Sequence, residues 1–312
     1  MSASFLSPPA DVTVVIVTYN SARHIEALGR GLASSFLSPR RMLVVDNAST
    51  DDTVIRARSA GFEVLERGSN DGFGTACNVG LREASTEFVL FCNPDVRPSS
   101  QALDRLLAAL VDNPTAAIAG GALDEPVRAR RFARITSDIW IFLPGWLQRH
   151  LRRFGRDVPV DQSQDYVIVD YAIGAFILCR VAPLLLVNGF DERFFLYSEE
   201  EDLSRRLGER GWKTLLVPSA VAAHATSTSS DGGDGKVMAP FLLHSLYWYY
   251  RKHRSRVYAE FARCVSAACV TSDCIYRKLT RQPQVYSPKT AVASFLSIDA
   301  VRRDYERFMA TR

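Results

Sequence analysis

Short apolar runs that end abruptly in polar residues dominate the first hundred positions of the chain. The clearest is Phe88–Cys92, which is followed by Asn93-Pro94-Asp95. Runs of this kind predict strands that are buried on both faces, as in a parallel sheet covered by helices. Because proline cannot continue a central strand, Pro94 marks the place where the chain leaves the sheet. Similar strands are predicted at 12–20, 42–45 and 62–65.

Segments with helical spacing of apolar residues alternate with these strands, for example at 24–32 and 101–110. The alternation predicts an α/β fold with a mostly parallel, doubly wound sheet and helices on both faces. Right-handed crossovers bring the carboxyl ends of such strands to one edge, where ligands bind. We therefore expect one cleft that is faced by Thr18, Asp46, Asn70 and Asp95. Asp95 itself allows two interpretations, a ligand of a divalent cation or the cap of a helix near Pro98.

The second half of the chain continues the pattern less regularly. Strands are predicted at 116–121, 166–178 and 214–217, and the C-terminal part is predicted to be helical. Gly174-Ala175 lies late in the second of these strands, where backbone can approach a ligand closely. His224 follows the last strand, and it is either a structural residue or a ligand of a metal ion or diphosphate.

Composition and charge exclude several classes of protein. Of the 312 residues, 47% are hydrophobic, which is typical of a globular protein. The 38 basic and 34 acidic residues leave a net charge of +4, too small to indicate nucleic-acid binding. Met1–Ala10 lacks the features of a signal peptide, and no apolar run approaches the roughly 20 residues that span a bilayer. The six cysteines have no CxxC spacing, so we expect reduced, buried thiols in the cytosol and no structural zinc.

Two stretches combine arginines with aromatic residues. Eight arginines between Arg128 and Arg156 flank an apolar, aromatic run at 139–147, and a second cluster occupies 247–254. Such a segment can lie in a membrane interface, with its rings at headgroup depth and its arginines against lipid phosphates. A surface loop over a pair of helices is the alternative interpretation.

Four consecutive acidic residues, 199–202, directly follow an aromatic cluster at 190–197. Acidic runs usually begin a solvated helix, where the helix dipole favours them. Neighbouring aromatic residues instead favour desolvated carboxylates, whose raised pKa values suit proton acceptors near neutral pH. Arg206 lies four positions after Asp202 on the helix that follows, and the two are expected to pair.

Taken together and in order, these motifs resemble the inverting glycosyltransferases of family 2, which have the GT-A fold. Within that family the chain looks most like the rhamnosyltransferases that use a dTDP-sugar, including those that act on polyprenyl-diphosphate-linked acceptors in bacterial cell-wall assembly. The resemblance covers about Val12 to His253. The matching residues are 17–20, 45–51, Asn70, Gly72-Phe73-Gly74, Asn78, Asn93-Pro94-Asp95, Gly174-Ala175, 190–200, Asp202-Leu203, Arg206, Gly211-Trp212 and His224.

The resemblance implies a donor site and a metal site. Asp46 would accept the pyrimidine N–H of the nucleotide, and Asp95 with His224 would hold Mg²⁺ or Mn²⁺. Asn93 departs from the family's Asp-x-Asp motif, and a neutral amide binds Mg²⁺ less strongly than a carboxylate does. The residues implied to bind the nucleotide sugar are Thr18, Tyr19, Asn20, Asp46, Asn70, Asn78, Asn93, Asp95 and Arg206.

The catalytic base is also implied by the resemblance. In relatives it is the second acid of a Glu-Asp pair, which corresponds to Glu200 here, and Glu199 is the rival candidate. The implied mechanism is a single displacement, in which the base takes the proton of an acceptor hydroxyl as the oxygen attacks the anomeric carbon. No covalent intermediate is expected.

The same resemblance implies the organisation of the chain and its partners. Residues 1–124 would form the nucleotide-sugar-binding half of the GT-A domain, 125–240 its acceptor-binding and catalytic half, and 241–312 a helical extension. The expected donor is a dTDP-sugar rather than a UDP-sugar. The acceptor would be a polyprenyl-linked saccharide, another glycan or a small natural product. We expect a cytoplasmic enzyme that is peripheral on the inner face of the cell membrane and does not bind nucleic acid.

Other functions fit the motifs less well. A nucleotidyltransferase would follow its glycine-rich loop with Arg or Lys, whereas the glycines at 72–74 come after the third strand without one. A dehydrogenase would need G-x-G-x-x-G after the first strand, and a P-loop is also missing. A non-catalytic sugar-nucleotide-binding subunit could share the fold. The joint presence of Asp46, Asp95, Glu200 and His224 favours an enzyme.

Overall fold

The computed structural model describes residues 10–33, 39–123, 127–137, 157–224 and 235–281. The chain divides into two compact units. The first consists of Met1–Arg130, Pro159–Glu192 and Glu200–Ala225, and the second of Arg131–Val158, Arg193–Glu199 and Thr226–Arg312. The sequence predicts donor binding for residues 1–124 and acceptor binding for residues 125–240. These boundaries describe function, not compact units, and they stay a prediction.

The described residues form the following helices and strands. The strands are β1 (Ala10–Thr18), β2 (Pro39–Asp46), β3 (Glu63–Glu66), β4 (Phe88–Cys92), β5 (Val96–Pro98), β6 (Ala116–Ala122), β7 (Arg128–Arg130), β8 (Asp157–Pro159), β9 (Val167–Val169), β10 (Phe176–Arg180) and β11 (Lys213–His224). The helices are α1 (Ala22–Ala33), α2 (Thr53–Ser59), α3 (Phe73–Glu83), α4 (Ala102–Asp112), α5 (Val181–Leu186), α6 (Glu199–Gly208), α7 (Gly235–His253) and α8 (Arg256–Leu279).

The first unit is built on a mixed sheet with the strand order β3-β2-β1-β4-β10-β6-β11-β5, and β9 pairs with β11. Strands β1 to β4 are parallel to one another, as are β6 and β11. The prediction of a mostly parallel sheet is therefore confirmed. Strand β10 runs antiparallel between β4 and β6, and β5 and β9 are antiparallel to β11. The chain order reverses between β1 and β4, which makes this edge a topological switch point where α/β sheets bind ligands.

Strand β4 shows why the apolar runs become central strands. Alternate side chains point to opposite faces of a strand, so a strand covered on both faces needs apolar residues throughout. Phe88, Leu90 and Cys92 pack into one core cluster with residues of α1 and α4. Val89 and Phe91 pack into a second cluster with residues of α3. Helices therefore cover both faces of the sheet, as predicted.

Two predicted strands have different limits in the structure. The segment 166–178 is two strands, β9 and β10, because the first pairs with β11 and the second inserts between β4 and β6. Residues 170–175 cross from one place in the sheet to the other. The last strand extends beyond 217 to His224, with a register shift between Val217 and Val221. Pro218 lies within this irregularity, where a strand tolerates the loss of a backbone donor.

The interpretation of Asp95 as a helix cap is wrong. Helix α4 has Gln101 at its N-cap position, and Asp95 lies before β5, in the turn that follows β4. The other interpretation, a role at the edge of the sheet, stays a prediction.

The second unit contains α7 and α8, so the part of the predicted helical extension from 241 to 279 is helical in the structure, and α7 begins earlier than predicted, at Gly235. Tyr249 and Tyr250 of α7 are buried against Ala259 and Ala262 of α8. The Ser255 hydroxyl caps α8 by accepting a hydrogen bond from the Tyr258 N–H at 3.1 Å. The whole aromatic run at 139–147 lies outside the described residues, and so do the basic residues from Arg149 to Arg156. No helix among the described residues is long and apolar enough to cross a membrane.

The cysteines agree with the sequence prediction with one clear exception. None of the six forms a disulfide; Cys77, Cys92, Cys179 and Cys274 are buried, and Cys269 is half-buried. Burial raises the pKa of the Cys92 and Cys179 thiols, which keeps them protonated. Cys264 is exposed, contrary to the expectation, because it lies on the outer face of α8.

Candidate active site

The parallel strands β1 and β2 end side by side in a buried hydrogen-bonded pair. Thr18 and Asp46 are register partners, and the Thr18 hydroxyl donates to Asp46 Oδ1 at 2.7 Å. Ser49 donates to the same carboxylate through its hydroxyl (2.6 Å to Oδ1) and its backbone N–H (2.8 Å to Oδ2). A carboxylate has about four acceptor positions, so Asp46 Oδ2 keeps capacity for one further donor.

Asn20 fixes the loop after β1 to the loop after β2. Its backbone N–H donates to the Ser49 hydroxyl at 2.9 Å, and its side-chain oxygen accepts from the Thr50 N–H at 2.8 Å. Asn20 has a φ of 49°, a left-handed conformation that asparagine tolerates better than most residues. Tyr19 lies between Thr18 and Asn20 and is half-buried. The three residues therefore follow one another at the carboxyl edge of the sheet.

The loop after β3 joins the same edge through Asn47. The Asn47 amide donates to the Gly72 carbonyl at 3.3 Å and accepts from Arg67 at 2.6 Å. Arg67 also pairs with Asp71 at 2.9 Å. Asn70 accepts a hydrogen bond from the Gly72 N–H at 3.2 Å, and it is half-buried. Asn70 thus shapes the glycine-containing entry to α3.

Asp95 directly precedes one strand, β5, and His224 ends the neighbouring strand, β11. Asp95 immediately precedes β5, and β5 pairs with β11 so that Val96 lies opposite His224. Asp95 is half-buried, and its charge helps raise the pKa of the Cys92 thiol, after the larger effect of burial. The backbone thus brings together the two residues that were expected to bind a metal.

The chemistry of this donor set fits a divalent cation whose coordination is completed by a diphosphate. By residue type, the turn with Asn93 and Asp95 offers an amide and a carboxylate, and Mg²⁺ commonly uses one or two protein carboxylates together with substrate phosphates. A role for His224 stays a prediction. Within the described ranges, no group of three His, Cys, Asp or Glu side chains forms a complete metal site by itself.

Gly174-Ala175 connects the Asp95 turn to Glu200. The Ala175 carbonyl accepts a hydrogen bond from the Asn93 N–H at 2.8 Å, and the Gly174 N–H hydrogen-bonds the Glu200 carboxyl. An ideal Cβ on Gly174 would lie 3.5 Å from Phe73 and 3.6 Å from the Cβ of Glu200. The N-terminus of α3, the Asp95 turn and Glu200 therefore all lie next to the backbone of Gly174 and Ala175.

Glu200 is the one member of the acidic run that is half-buried, whereas Glu199, Glu201 and Asp202 are buried. The solvated-helix interpretation of 199–202 is therefore wrong. Burial raises the pKa of Glu200 to about 7. Hydrogen bonds from the N–H groups of Glu200 itself and Gly174 act in the opposite direction, as does the Arg130 charge, while the Glu201 charge raises the pKa further. A carboxyl with this pKa can act as a proton acceptor near neutral pH.

The turn before α6 has an unusual backbone. Tyr197 and Ser198 have φ values of 71° and 64°, and two consecutive non-glycine residues rarely adopt this left-handed conformation. Such strain costs roughly 1–3 kcal/mol per residue and persists only where the surroundings impose it. The Leu196 carbonyl accepts a hydrogen bond from the Ser245 hydroxyl at 2.8 Å, which helps to hold this turn. Helix α6 then begins at Glu199, the rival base.

Asn78 is hydrogen-bonded to the segment that contains Phe190 and Glu192. Its amide donates to the Phe190 carbonyl at 2.8 Å and to Glu192 at 3.0 Å, and its oxygen accepts from the Phe190 N–H at 2.8 Å. The side chain is 4% exposed. These contacts use the amide to fix the segment that leads to α6, in place of the nucleotide contact expected from the sequence.

Arg206 has a similar role. Its guanidinium donates to Asp202 at 2.7 Å, which confirms the expected pair, and to the carbonyls of Val187 and Gly189 at 2.6 and 2.7 Å. Three donors are thereby used for the protein itself. We therefore assign Arg206 to positioning, in place of the expected donor contact.

Sequence reasoning missed the contribution of Arg130. It was included in the basic segment 128–156, but its charge acts on Glu200 and its side chain lines a cleft with Tyr171. Arg128 and Arg130 lie two positions apart on β7, so they share a face of the strand. The i, i+2 spacing of these two arginines was the feature of the sequence that could have predicted their shared position.

The chain is similar in sequence to known glycosyltransferases. Residues 13–161 match Glycosyl transferase family 2. The N-acetylglucosaminyl-diphospho-decaprenol L-rhamnosyltransferase of Mycobacterium tuberculosis is 32% identical over 240 residues, which cover 70% of this chain and 78% of the relative. The rhamnosyltransferase WbbL of Escherichia coli is 26% identical over 232 residues, or 68% of this chain and 83% of the relative.

The fold is also similar to that of solved structures. The mannosyltransferase PcManGT from Pyrobaculum calidifontis, solved in complex with GDP-Man and Mn²⁺, superposes with a TM-score of 0.58 at 18% sequence identity. The match covers 96% of this chain and 87% of that one. This similarity confirms the GT-A type fold that the sequence predicted.

Removal of Arg206 should destabilise the protein strongly. In Arg206→Ala the Asp202 carboxylate, which is 0% exposed, loses its ion-pair partner, and we expect the free energy of unfolding to fall by about 3 kcal/mol or more. The matched control is Arg205→Ala, since Arg205 pairs with Glu209 at the same i, i+4 spacing, but Glu209 is 62% exposed. The control should lose less than about 1 kcal/mol. Urea-induced unfolding measures both, and equal losses would contradict a positioning role for Arg206.

Proposed function

The chain belongs to glycosyl transferase family 2 and is a nucleotide-sugar-dependent glycosyltransferase, and we propose that it transfers L-rhamnose from dTDP-rhamnose to a hydroxyl of a lipid-linked saccharide, with inversion. The names of two relatives support rhamnose as the sugar. The name of the mycobacterial relative supports an N-acetylglucosamine residue linked through a diphosphate to a polyprenol as the acceptor.

One structural observation carries the proposal. The backbone of Gly174-Ala175 hydrogen-bonds both the Asn93 N–H and the Glu200 carboxyl, so a proton acceptor and the Asp95 turn are neighbours. Transfer needs these two functions together, since one side of the anomeric carbon loses a diphosphate while the other side receives a deprotonated oxygen.

Glu200 is the base of the proposed reaction. The acceptor oxygen forms a bond to the anomeric carbon, its proton moves to the Glu200 carboxylate, and the bond from the anomeric carbon to the diphosphate oxygen breaks with its electron pair. A single displacement of this kind inverts the anomeric configuration. The greater accessibility of the carboxyl supports Glu200 over Glu199, because Glu200 is half-buried whereas Glu199 is only 4% exposed. The raised pKa of Glu200 makes its carboxylate basic enough to accept a proton near neutral pH.

The donor is proposed to bind along the ends of β1, β2 and β4. Asp46 would accept the N–H of the thymine ring through the remaining capacity of Oδ2, and Tyr19 and Asn20 would flank the nucleoside. Asp95 and His224, with Asn93 beside them, would hold Mg²⁺ or Mn²⁺ against the diphosphate. A bound divalent cation supplies positive charge that stabilises the leaving diphosphate. The relative solved with GDP-Man and Mn²⁺ supports this arrangement through its fold.

We propose that the protein binds the inner face of the cell membrane through α8. Val257, Phe261, Ile275 and Leu279 recur on this helix at helical spacing and are 80%, 59%, 56% and 79% exposed. Exposed basic residues, Lys278 and Arg281, lie at its C-terminal end. Apolar residues with adjacent cations suit the surface of an anionic membrane, where a lipid-linked acceptor would be found.

The transfer proposal is tested by measuring dTDP release and product formation. With dTDP-rhamnose, Mg²⁺ and a polyprenyl-diphosphate-linked N-acetylglucosamine, we expect transfer, and Glu200→Gln should lower kcat by about 10²–10⁴-fold. Glu199→Gln serves as the matched control and should retain far more activity. Calorimetric titration with dTDP-, UDP- and GDP-sugars identifies the donor. Donor binding without transfer to any acceptor would indicate a non-catalytic subunit.

The pH dependence follows from the pKa of Glu200. The base acts only when it is ionised, so kcat/KM should be constant above about pH 8 and fall tenfold per unit below about pH 6. Arg130 lowers the pKa of Glu200, so Arg130→Gln should move this acidic limb to higher pH. Steady-state rates between about pH 5 and 9 measure the shift. An acidic limb near 4.5, the ordinary value for glutamate, would contradict the raised pKa of Glu200.

Membrane binding is tested by co-sedimentation with vesicles of phosphatidylcholine and phosphatidylglycerol. We expect binding that weakens as salt is added, because salt screens the attraction between lysine or arginine and lipid phosphate. Phe261→Ser should reduce binding by removing apolar area from the stripe. Ile55→Ser is the matched control, since Ile55 is 66% exposed on α2. Absence of wild-type binding at low salt would remove the proposal.

A further inference from the structure

Arg67 directly follows β3 and is hydrogen-bonded to residues of two loops at the carboxyl edge of the sheet. Its backbone N–H donates to the Asp46 carbonyl at 2.9 Å. Its guanidinium donates to the side-chain oxygen of Asn47 at 2.6 Å and to the Asp71 carboxylate at 2.9 Å. The Arg67 side chain is 15% exposed. One largely buried cation therefore links the loop after β2 to the residues that lead into α3.

Asn47 connects Arg67 to both sides of this edge. Its backbone N–H donates to the Thr18 carbonyl at 2.8 Å, and its amide nitrogen donates to the Gly72 carbonyl at 3.3 Å. The Gly72 N–H in turn donates to Asn70, one of the expected donor-binding residues. Asn47 is 3% exposed, and a buried amide oxygen that loses its donor must turn away or admit water. The orientation of the Asn47 amide therefore depends on Arg67.

The backbone after Asn47 needs support from its surroundings. Ala48 has a φ of 62°, a left-handed conformation that is uncommon for a non-glycine residue and persists only where neighbouring contacts impose it. The next residue, Ser49, donates two hydrogen bonds to the Asp46 carboxylate. The carboxylate proposed to bind the nucleotide is thus oriented by a strained loop, and Arg67 holds the beginning of that loop.

We propose that Arg67 is a positioning residue for donor binding, which holds the Asp46 loop and the entry to α3 in the arrangement that receives the nucleoside. This role rests on the proposed function, because it concerns the donor site of the same reaction. Arg67 acts through Asn47 and Asp71, not by contact with the nucleotide. The nucleoside is held alike before and during transfer, so Arg67 affects donor binding and leaves the chemical step unchanged.

Calorimetric binding of dTDP and of dTMP, each with Mg²⁺ and without acceptor, tests this role. Arg67→Ala should weaken both by the same factor, roughly tenfold, the effect of losing one charged hydrogen bond. Arg67→Lys keeps the charge but lacks the fork that contacts Asn47 and Asp71 together, so it should recover only part of the affinity. The matched control is Arg58→Ala, because Arg58 pairs with Glu66 at 2.5 Å but the two side chains are 57% and 55% exposed. Its affinities should equal those of the wild type.

Steady-state kinetics and a double-mutant cycle separate positioning from a general loss of stability. With dTDP-rhamnose and the lipid-linked acceptor, Arg67→Ala should raise the donor KM by the factor seen in calorimetry and change kcat by less than about threefold. Asn47→Ala should weaken dTDP binding to a similar extent. The double variant should bind little more weakly than either single variant, because both substitutions remove the same contact. Circular dichroism verifies that each variant is folded.

The outcomes separate this role from the proposed function. If the wild type binds none of dTDP, UDP and GDP, the proposed donor site fails and the role of Arg67 fails with it. If the wild type binds dTDP and Arg67→Ala keeps that affinity, the positioning role is wrong while the donor site stands. A much larger loss for dTDP than for dTMP would mean that Arg67 contacts the second phosphate, which also overturns positioning. If Arg67→Ala does not fold, Arg67→Lys decides, and wild-type affinity in that variant overturns the inference.

Discussion

The chemistry of this site depends on two hydrogen bonds made by the backbone of adjacent residues. The Ala175 carbonyl binds the Asn93 N–H, and the Gly174 N–H binds the Glu200 carboxyl. Because both contacts belong to one short stretch directly before β10, they link the Asp95 turn to the acidic residue Glu200. The antiparallel insertion of β10 between β4 and β6 fixes that stretch. A Cβ on Gly174 would meet both Phe73 and Glu200 at ordinary van der Waals distance, so these two side chains lie directly beside this backbone segment.

The acidic run illustrates how burial gives carboxylates different properties within one turn of helix. Asp202 is fully buried and its charge is compensated by Arg206, so it serves as an anchor. Burial raises the pKa of Glu200 to about 7, because it disfavours the charged carboxylate. Arg130 opposes this shift only in part. An anchored helix that presents one weakly acidic carboxyl is what proton transfer at neutral pH requires.

Polar residues in a matching motif need not touch the ligand. Asn78 and Arg206 both hold the segment 187–192 through backbone groups of residues far away in sequence. Buried amide and guanidinium groups of this kind satisfy carbonyls and N–H groups that lie outside regular secondary structure. Their presence fixes the approach to the strained turn at Tyr197 and Ser198, from which α6 begins. A framework of this kind supports the site without contributing to the reaction.

Local composition determined the first half of the fold. The runs that became β1, β2 and β4 are apolar on both faces, and this pattern has few solutions other than a covered parallel sheet, so Thr18, Asp46 and Asp95 could be assigned to one edge. The tertiary structure decided the rest, because the relevant contacts join distant positions. It divided 166–178 into two strands, exposed Cys264, and gave Asn78 and Arg206 structural partners. It also brought Arg130 and Gly174 to Glu200, and a pKa depends on burial and neighbouring charges that no single stretch of sequence contains.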